Sequence, residues 1–395
     1  MLEHLVQKRK IVALNKEHVR LAATFGRLNV LKWLASRVPD DSWTTTVMDF
    51  AASNGHLDVV KWLHANRNEG CSVRAIDWAA NNGHLDVVKW LHENRTEGCT
   101  SQAMDSAAEK GHLALVQFLH SNRTEGCSKR AMVEAASNGH LAVVKWLHNN
   151  RTEGCSARAI DWAASHGHLD CVKWLHENRT EGCSAKAMDY AALHGHLDVV
   201  EYLHEHHTEG CTGMAMEYAA ENGHVDIVEF LHKNRTECSI VDAAKTAAQF
   251  GQLAVIKRIH SLAPDAITVA AVDAAASNGQ ISVFEWIINE AGVQPTADIL
   301  TCAVESGRFR ILSWFRRRMP EILRSHAASK VGNGSADAAI EWLGRDGLPS
   351  RPADVMRLAI KERQVMVLKW LLCHLRVNAW HDGDFELARK LVGTK

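Results

Sequence analysis

The sequence predicts an all-α protein, an α-solenoid made of stacked helix–turn–helix units. Three observations predict it. Glycine recurs at 55, 83, 111, 139, 167, 195, 223, 251, 279 and 307, a constant step of 28 residues. Between successive glycines run two apolar stretches of helical period. Only 6 prolines interrupt the 395 residues. A chain of this length ordinarily divides into two or three globular domains. In a repeat array each unit touches only its neighbours, so no single core limits the length.

Residues 1–43 read as an N-terminal cap and a first degenerate repeat, with Gly26 one residue out of step. Residues 44–319 form the regular array. Each unit opens on a hydroxyl suited to a helix N-cap: Thr44, Ser72, Thr100, Ser128, Ser156, Ser184 and Thr212. In the unit from Ser72, helix A turns Ala75, Ile76, Ala79 and Ala80 to one face, and Gly83 supplies the left-handed residue that ends it. Helix B follows, with Leu85, Val87, Val88 and Leu91 as its apolar arc. It stops near Asn94, and "RTEGC" leads to the next hydroxyl. Residues 320–395 hold degenerate repeats, with Ser335 and Arg363 in the glycine frame, and "FELARKLV" as a half-unit cap. Two short helices cannot bury their apolar faces alone; stacking like units does it, and the small Ala79–Ala80 pair permits close approach.

"AAxxGHLxVVxxL", Ala79 to Leu91, resembles the helix–turn–helix core of the ankyrin repeat, and the resemblance recurs along nearly the whole chain. Ankyrin units typically run ~33 residues with a T-P-L-H start. Here "RAID" stands at that start and the loop is cut to "RTEGCS", which implies little or no β-hairpin. The resemblance implies a noncatalytic scaffold or adaptor. Its helix A surface, concave in the family, would bind a protein partner not identifiable from sequence.

Candidate partner-binding residues follow from variation along helix A. Slots 74, 77, 78 and 81 point away from the alanine face and change from unit to unit, as a recognition surface should. Aromatics with arginine nearby are the side chains that anchor interfaces. The stripe includes Arg74, Trp78 and Asn81; Glu109; Arg130, Val133 and Glu134; Arg158 and Trp162; Lys186 and Tyr190; Tyr218 and Glu221. Arg74 and Asp77, spaced i,i+3, suit a solvated ion pair. By resemblance, the residues just before the glycine join the surface: Asn82, Lys110, Asn138, His166, His194, Asn222 and Phe250. Whether the helix A aromatics are exposed or pad the seam between repeats is open at this level. A second candidate, for an acidic partner or nucleic acid, is the cluster Arg308, Arg310, Arg316, Arg317 and Arg318, with Arg324 beyond it.

Other patterns have plain structural readings. Cys71, Cys99, Cys127, Cys155, Cys183 and Cys211 recur every 28 residues. Equivalent positions in stacked units lie about 10 Å apart, beyond the ~7 Å a disulfide spans. No CxxC occurs, and a ladder of single histidines cannot converge on one ion, so no metal site and no cofactor is expected. The one dense stretch is "LHEHHTEGC", with His204, His206, His207 and Cys211. The aromatic ladder of helix B (Trp33, Trp62, Trp90, Phe118, Trp146, Trp174, Tyr202, Phe230, Trp286, Trp314, Trp342, Trp370), broken at Arg258, belongs on a flank facing the neighbouring helix B. "NRT" at Asn94, Asn122, Asn150, Asn178 and Asn234 reads as a helix end, where asparagine tolerates left-handed dihedrals, rather than a glycosylation site.

A net charge of −1 creates no field that draws nucleic acid or an anionic membrane. There is no apolar run of membrane length and no signal-peptide core at the start, so a cytoplasmic or nuclear monomer is expected. No phosphate loop, nucleophile elbow or metal-spaced cluster points to catalysis.

Overall fold

A computed structural model describes residues 14–296, 299–300, 303, 308–319, 352–361, 365–374 and 382–392. Among them there is no β-strand. Helices alternate short A and B members, from Lys16–Thr24 and Leu28–Leu34, through pairs such as Arg74–Asn81 with Leu85–Asn94 and Arg158–Ser165 with Leu169–Asn178. The chain forms two compact units, residues 1–191 with 198–210, and residues 192–197 with 211–395. Helix A packs against the helix A before it and against its own helix B, as Arg74–Asn81 does against Thr45–Ser53 and Leu85–Asn94. No described helix is long and apolar enough to cross a membrane.

The core is the set of slots the repeat holds constant. Ala75, Ile76, Ala79 and Ala80 of helix A and Val87, Val88 and Leu91 of helix B are all buried. The alanines let successive A helices approach at backbone distance, while the branched aliphatics of helix B fill the layer behind them.

The Gly-His turn shows why this dipeptide recurs. Gly83 sits at φ 83, the left-handed region, which lets His84 N–H donate back to Ala79 O at 2.9 Å and closes the helix end. The glycine also makes room for the next repeat: a Cβ on Gly55 would stand 2.6 Å from His84 Nδ1. The side chain after the glycine reaches a carbonyl at the end of the preceding helix A. His56 Nε2 lies 2.9 Å from Thr24 O, and His224 Nε2 3.2 Å from Leu193 O. Gln252 takes over the task and donates to Glu221 O at 2.7 Å. The slot selects a donor long enough to satisfy an otherwise unpaired carbonyl, and histidine is one solution among several.

The aromatic ladder takes its expected flank at Trp90 and Trp146, while Trp342 and the Trp370 side chain lie outside the described residues. Trp90 and Trp146 meet His64 and His120 of the preceding helix B edge-to-face, at 5.2 and 5.1 Å between centroids. The "NRT" asparagine works differently from the expectation. Asn94 stays helical and its Nδ2 donates to Trp90 O at 2.8 Å, and Arg95, fully extended, ends the helix. The side-chain amide, not a left-handed backbone, caps the final turn.

Candidate functional site

Helix A carries the surface that varies. Its second position departs from expectation: Asp77 is only 5% exposed, and Asp49, Asp105, Asp161 and Asp189 are buried too. They sit in the seam between repeats rather than on a solvated face. Asp77 reaches forward to the next repeat and accepts from Thr100 N–H at 2.9 Å and Thr100 Oγ1–H at 2.8 Å. The same pair of bonds joins Asp49 to Ser72, Asp105 to Ser128 and Asp161 to Ser184. The hydroxyl has a double duty. Ser72 Oγ also accepts Arg74 N–H at 3.2 Å, capping its own helix while donating to the aspartate behind it. Burial pushes the Asp77 and Asp161 carboxyls up, and the hydrogen bonds they accept pull back only part of that.

The latch is not present in every repeat. Val133 stands where the aspartate belongs, so nothing reaches forward to Ser156 from this slot. At this place the surface opens into a cleft of about 300 Å³, lined by Lys129, Arg130, Val133, Glu134, Ser156, Arg158 and Trp162. Trp162 on its wall is 51% exposed, unusual for an indole. Arg130, weakly paired with Glu134 at 3.8 Å, leaves three exposed cations, with Lys129 and Arg158, around one apolar ring.

The other predicted surface residues are spread along helix A in both units. Arg74, Asn82, Lys110, Asn138, Arg158, His166, Lys186, His194, Asn222 and Phe250 are exposed. Asn81, Glu109, Glu134 and Glu221 are half-buried. The aromatics divide: Trp162 and Tyr190, at 51% and 36%, face solvent, whereas Trp78 and Tyr218 are half-buried. Trp78 packs on Phe50 at 5.5 Å between centroids, with the Arg74 guanidinium 5.5 Å over its ring. Glu134, Arg158 and Trp162 are brought together in the cleft. Lys129 and Ser156 complete it, and the signal for them was Val133 in an aspartate slot.

The arginine cluster does not stand as one surface. Arg308 fills the donor slot after the glycine position: its Nε donates to Ser277 O at 2.6 Å and its chain packs under Gly279. That bond gives it a structural task in the stack. Arg310, Arg317 and Arg318 are exposed on the helix Phe309–Arg318, and Arg316 is half-buried. Arg324 lies outside the described residues, as do Ser335 and Arg363.

The inter-repeat loop has its own device. In "RTEGC" the Arg123 guanidinium grips the Glu125 carboxylate bidentately, and that carboxylate also accepts Cys99 N–H from the loop before it at 3.5 Å. The pair repeats at Arg67–Glu69, Arg95–Glu97, Arg151–Glu153, Arg179–Glu181 and Arg235–Glu237. The arginine holds the Glu125 carboxyl down to about 2. The cysteines lie under these clamps, and burial pushes the Cys99 thiol up to about 11.

Two loops break the pattern. In "HTEGC" His207 takes the arginine slot. It turns not to Cys211 but to Cys183 of the preceding loop, with Nδ1 3.3 Å from Sγ, and lies 3.6 Å from Glu209 Oε2. Its ring also lies 4.4 Å from His176, tilted by 59°, which sets an imidazole of the dense stretch against one of the ladder. In "RTECS" the loop glycine is absent, and the shortened loop draws Cys238 Sγ to 3.6 Å from Cys211 Sγ. The shortened loop thus sets two thiols of neighbouring repeats side by side, a pair outside the 28-residue ladder.

A family model described as ankyrin repeats (3 copies) matches residues 19–105, 103–189 and 160–242. No curated protein sequence matches the chain. Solved structures that resemble it include the human ASB11 ankyrin repeat domain, 19% identical, covering 48% of this chain and 83% of that one with a TM-score of 0.28. The pentatricopeptide repeat protein PPR10 from maize is 10% identical, covering 97% of this chain and 66% of that one with a TM-score of 0.36.

Proposed function

The chain belongs to the ankyrin-repeat family, whose repeats are generally protein-interaction modules, and on that premise we propose that it is a noncatalytic scaffold or adaptor that captures a protein partner on the helix A surface of the array 44–319. The cleft at Trp162 is the anchor point. The observation that carries this reading is an indole 51% exposed on the wall of a 300 Å³ cleft. A half-exposed tryptophan leaves apolar surface in water at a cost of roughly 25 cal/mol per Å², which a bound side chain recovers. Lys129, Arg130 and Arg158 around it select the occupant: an acidic segment that sets one apolar side chain on the indole and its carboxylates on the rim.

The test is affinity capture with the intact chain and with Trp162→Ala combined with Arg158→Ala. A photo-crosslinking residue placed at Asn138 or Lys186 records which partner segment lies on this face. Both substituted side chains are exposed, so the helical signal in circular dichroism should be unchanged. Loss of the crosslinked partner with the fold intact supports the reading. Equal capture by the double variant overturns it.

A further inference from the structure

In four of the regular loops an arginine guanidinium fills the space between the loop cysteine of one repeat and the loop glutamate of the next. A Cβ built on Gly70 would collide with Arg95 Nη2, and one on Gly98 stands 2.7 Å from Arg123 Nη2. At Gly182 the corresponding neighbour within 4 Å is Glu209 alone, at 3.5 Å, because His207 has replaced the arginine. The substitution removes the cation that faces Cys183 and Glu209 and keeps both of its partners. It puts in its place an imidazole whose side chain is 6% exposed and whose Nε2 is buried with no hydrogen-bond partner. Cys183 Sγ, His207 Nδ1 and a Glu209 carboxylate oxygen all lie within 4.8 Å of one another.

We propose that Cys183, His207 and Glu209 form a three-ligand site for a divalent transition-metal ion of zinc type. The geometry carries it. Around tetrahedral zinc, with metal–sulfur near 2.3 Å and metal–nitrogen or –oxygen near 2.0–2.1 Å, a sulfur and a nitrogen ligand stand about 3.5 Å apart, and nitrogen and oxygen about 3.4 Å. The separations here are 3.3 Å for Sγ–Nδ1 and 3.6 Å for Nδ1–Oε2. Thiolate, imidazole and carboxylate together suit zinc or cobalt(II) rather than calcium or magnesium, which take oxygen ligands. Glu209 is 36% exposed, so the fourth position opens toward water. The ion restores the positive charge that arginine supplies in the sister loops, and it ties the loop before Ser184 to the loop before Thr212 through side chains on both. Binding releases the thiol proton of Cys183 to solvent as the sulfur–metal bond forms.

The test titrates the metal-free, reduced full chain with cobalt(II), then zinc. One equivalent of cobalt should give the visible bands of tetrahedral cobalt and a sulfur-to-cobalt charge-transfer band, both removed by zinc. His207→Arg restores the internal consensus and its clamp, so it should fold, and it should lower cobalt affinity at least 100-fold. Cys183→Ser should abolish the charge-transfer band. His204→Asn with His206→Asn should leave binding unchanged, which separates this site from the adjacent histidine run. Zinc should raise the melting temperature of the wild type and not of His207→Arg. Absence of the thiolate band in the wild type overturns the proposal. So does equal binding by His207→Arg, or loss of binding in the His204/His206 variant instead. Partner capture at Trp162 is read separately, so the two proposals fail independently.

Discussion

Asp77→Ala tests whether the buried aspartate latch holds neighbouring repeats together. The variant removes two hydrogen bonds from Thr100, at 2.9 and 2.8 Å, both to a charged acceptor. Such bonds contribute about 1.5–3 kcal/mol each. Two structural facts draw the total down. Burial raises the Asp77 carboxyl, so part of the gain offsets desolvation. Thr100 is exposed, so its freed N–H and O–H regain water. The net cost is then about 2 kcal/mol. In a repeat array stability is a sum of unit and interface contributions, so the loss falls on one junction. Native-state hydrogen exchange reads it: amides of the helix Ser101–Glu109 should exchange about 30-fold faster, the factor that 2 kcal/mol represents. Amides of Leu28–Leu34 in the same unit should be unaffected. An acceleration below about threefold at Ser101–Glu109 would refute the latch as an energetic element, because the bonds would then only replace equivalent ones to water.

Other outcomes follow from the same geometry. Val133→Asp supplies the missing partner for Ser156; it should slow exchange in Arg158–Ser165 several-fold and weaken partner capture at the cleft, seen in the same exchange and crosslinking assays. The acid response has two opposing parts. Glu125 sits at about 2 when folded against an ordinary 4.5, so its clamp contributes stability present above pH 4.5 and lost as pH falls toward 2. Asp77 is raised, so its contribution has the reverse sign, present below its ordinary 3.8 and lost as pH rises through the folded value. Urea midpoints between pH 6 and 2.5 should therefore fall less steeply for Glu125→Gln than for the wild type, and more steeply for Asp77→Asn. Oxidised glutathione should join Cys211 to Cys238: two thiols lose their hydrogens, one S–S bond forms, and two reduced glutathiones are released. Peptide mapping should show that bridge, and Cys238→Ser should remove it; a bridge between 28-spaced cysteines instead would contradict the 3.6 Å contact.

The residues that face the core were legible in the sequence because their burial is set locally. Ala75, Ala79, Val87 and Leu91 recur at helical spacing, and Gly83 is the one residue that takes φ 83 without a clashing Cβ. Any two such helices can bury those faces only by stacking, so the all-α repeat follows from pattern alone. What the polar residues do was decided by the partner brought up from the next repeat. A helical wheel sets Asp77 outside, since it knows only its own helix; the hydroxyl of Thr100, 23 positions on, turns that outside into a seam. Arg308 read as a free charge until stacking placed Ser277 O beside it. His207 and Cys183 are 24 residues apart, and only the translation between loops brings an imidazole to a thiol. Periodicity determines which side of a helix is apolar. The meeting of groups from successive units, a matter of tertiary distance, determines which polar atoms are satisfied and which remain open to bind.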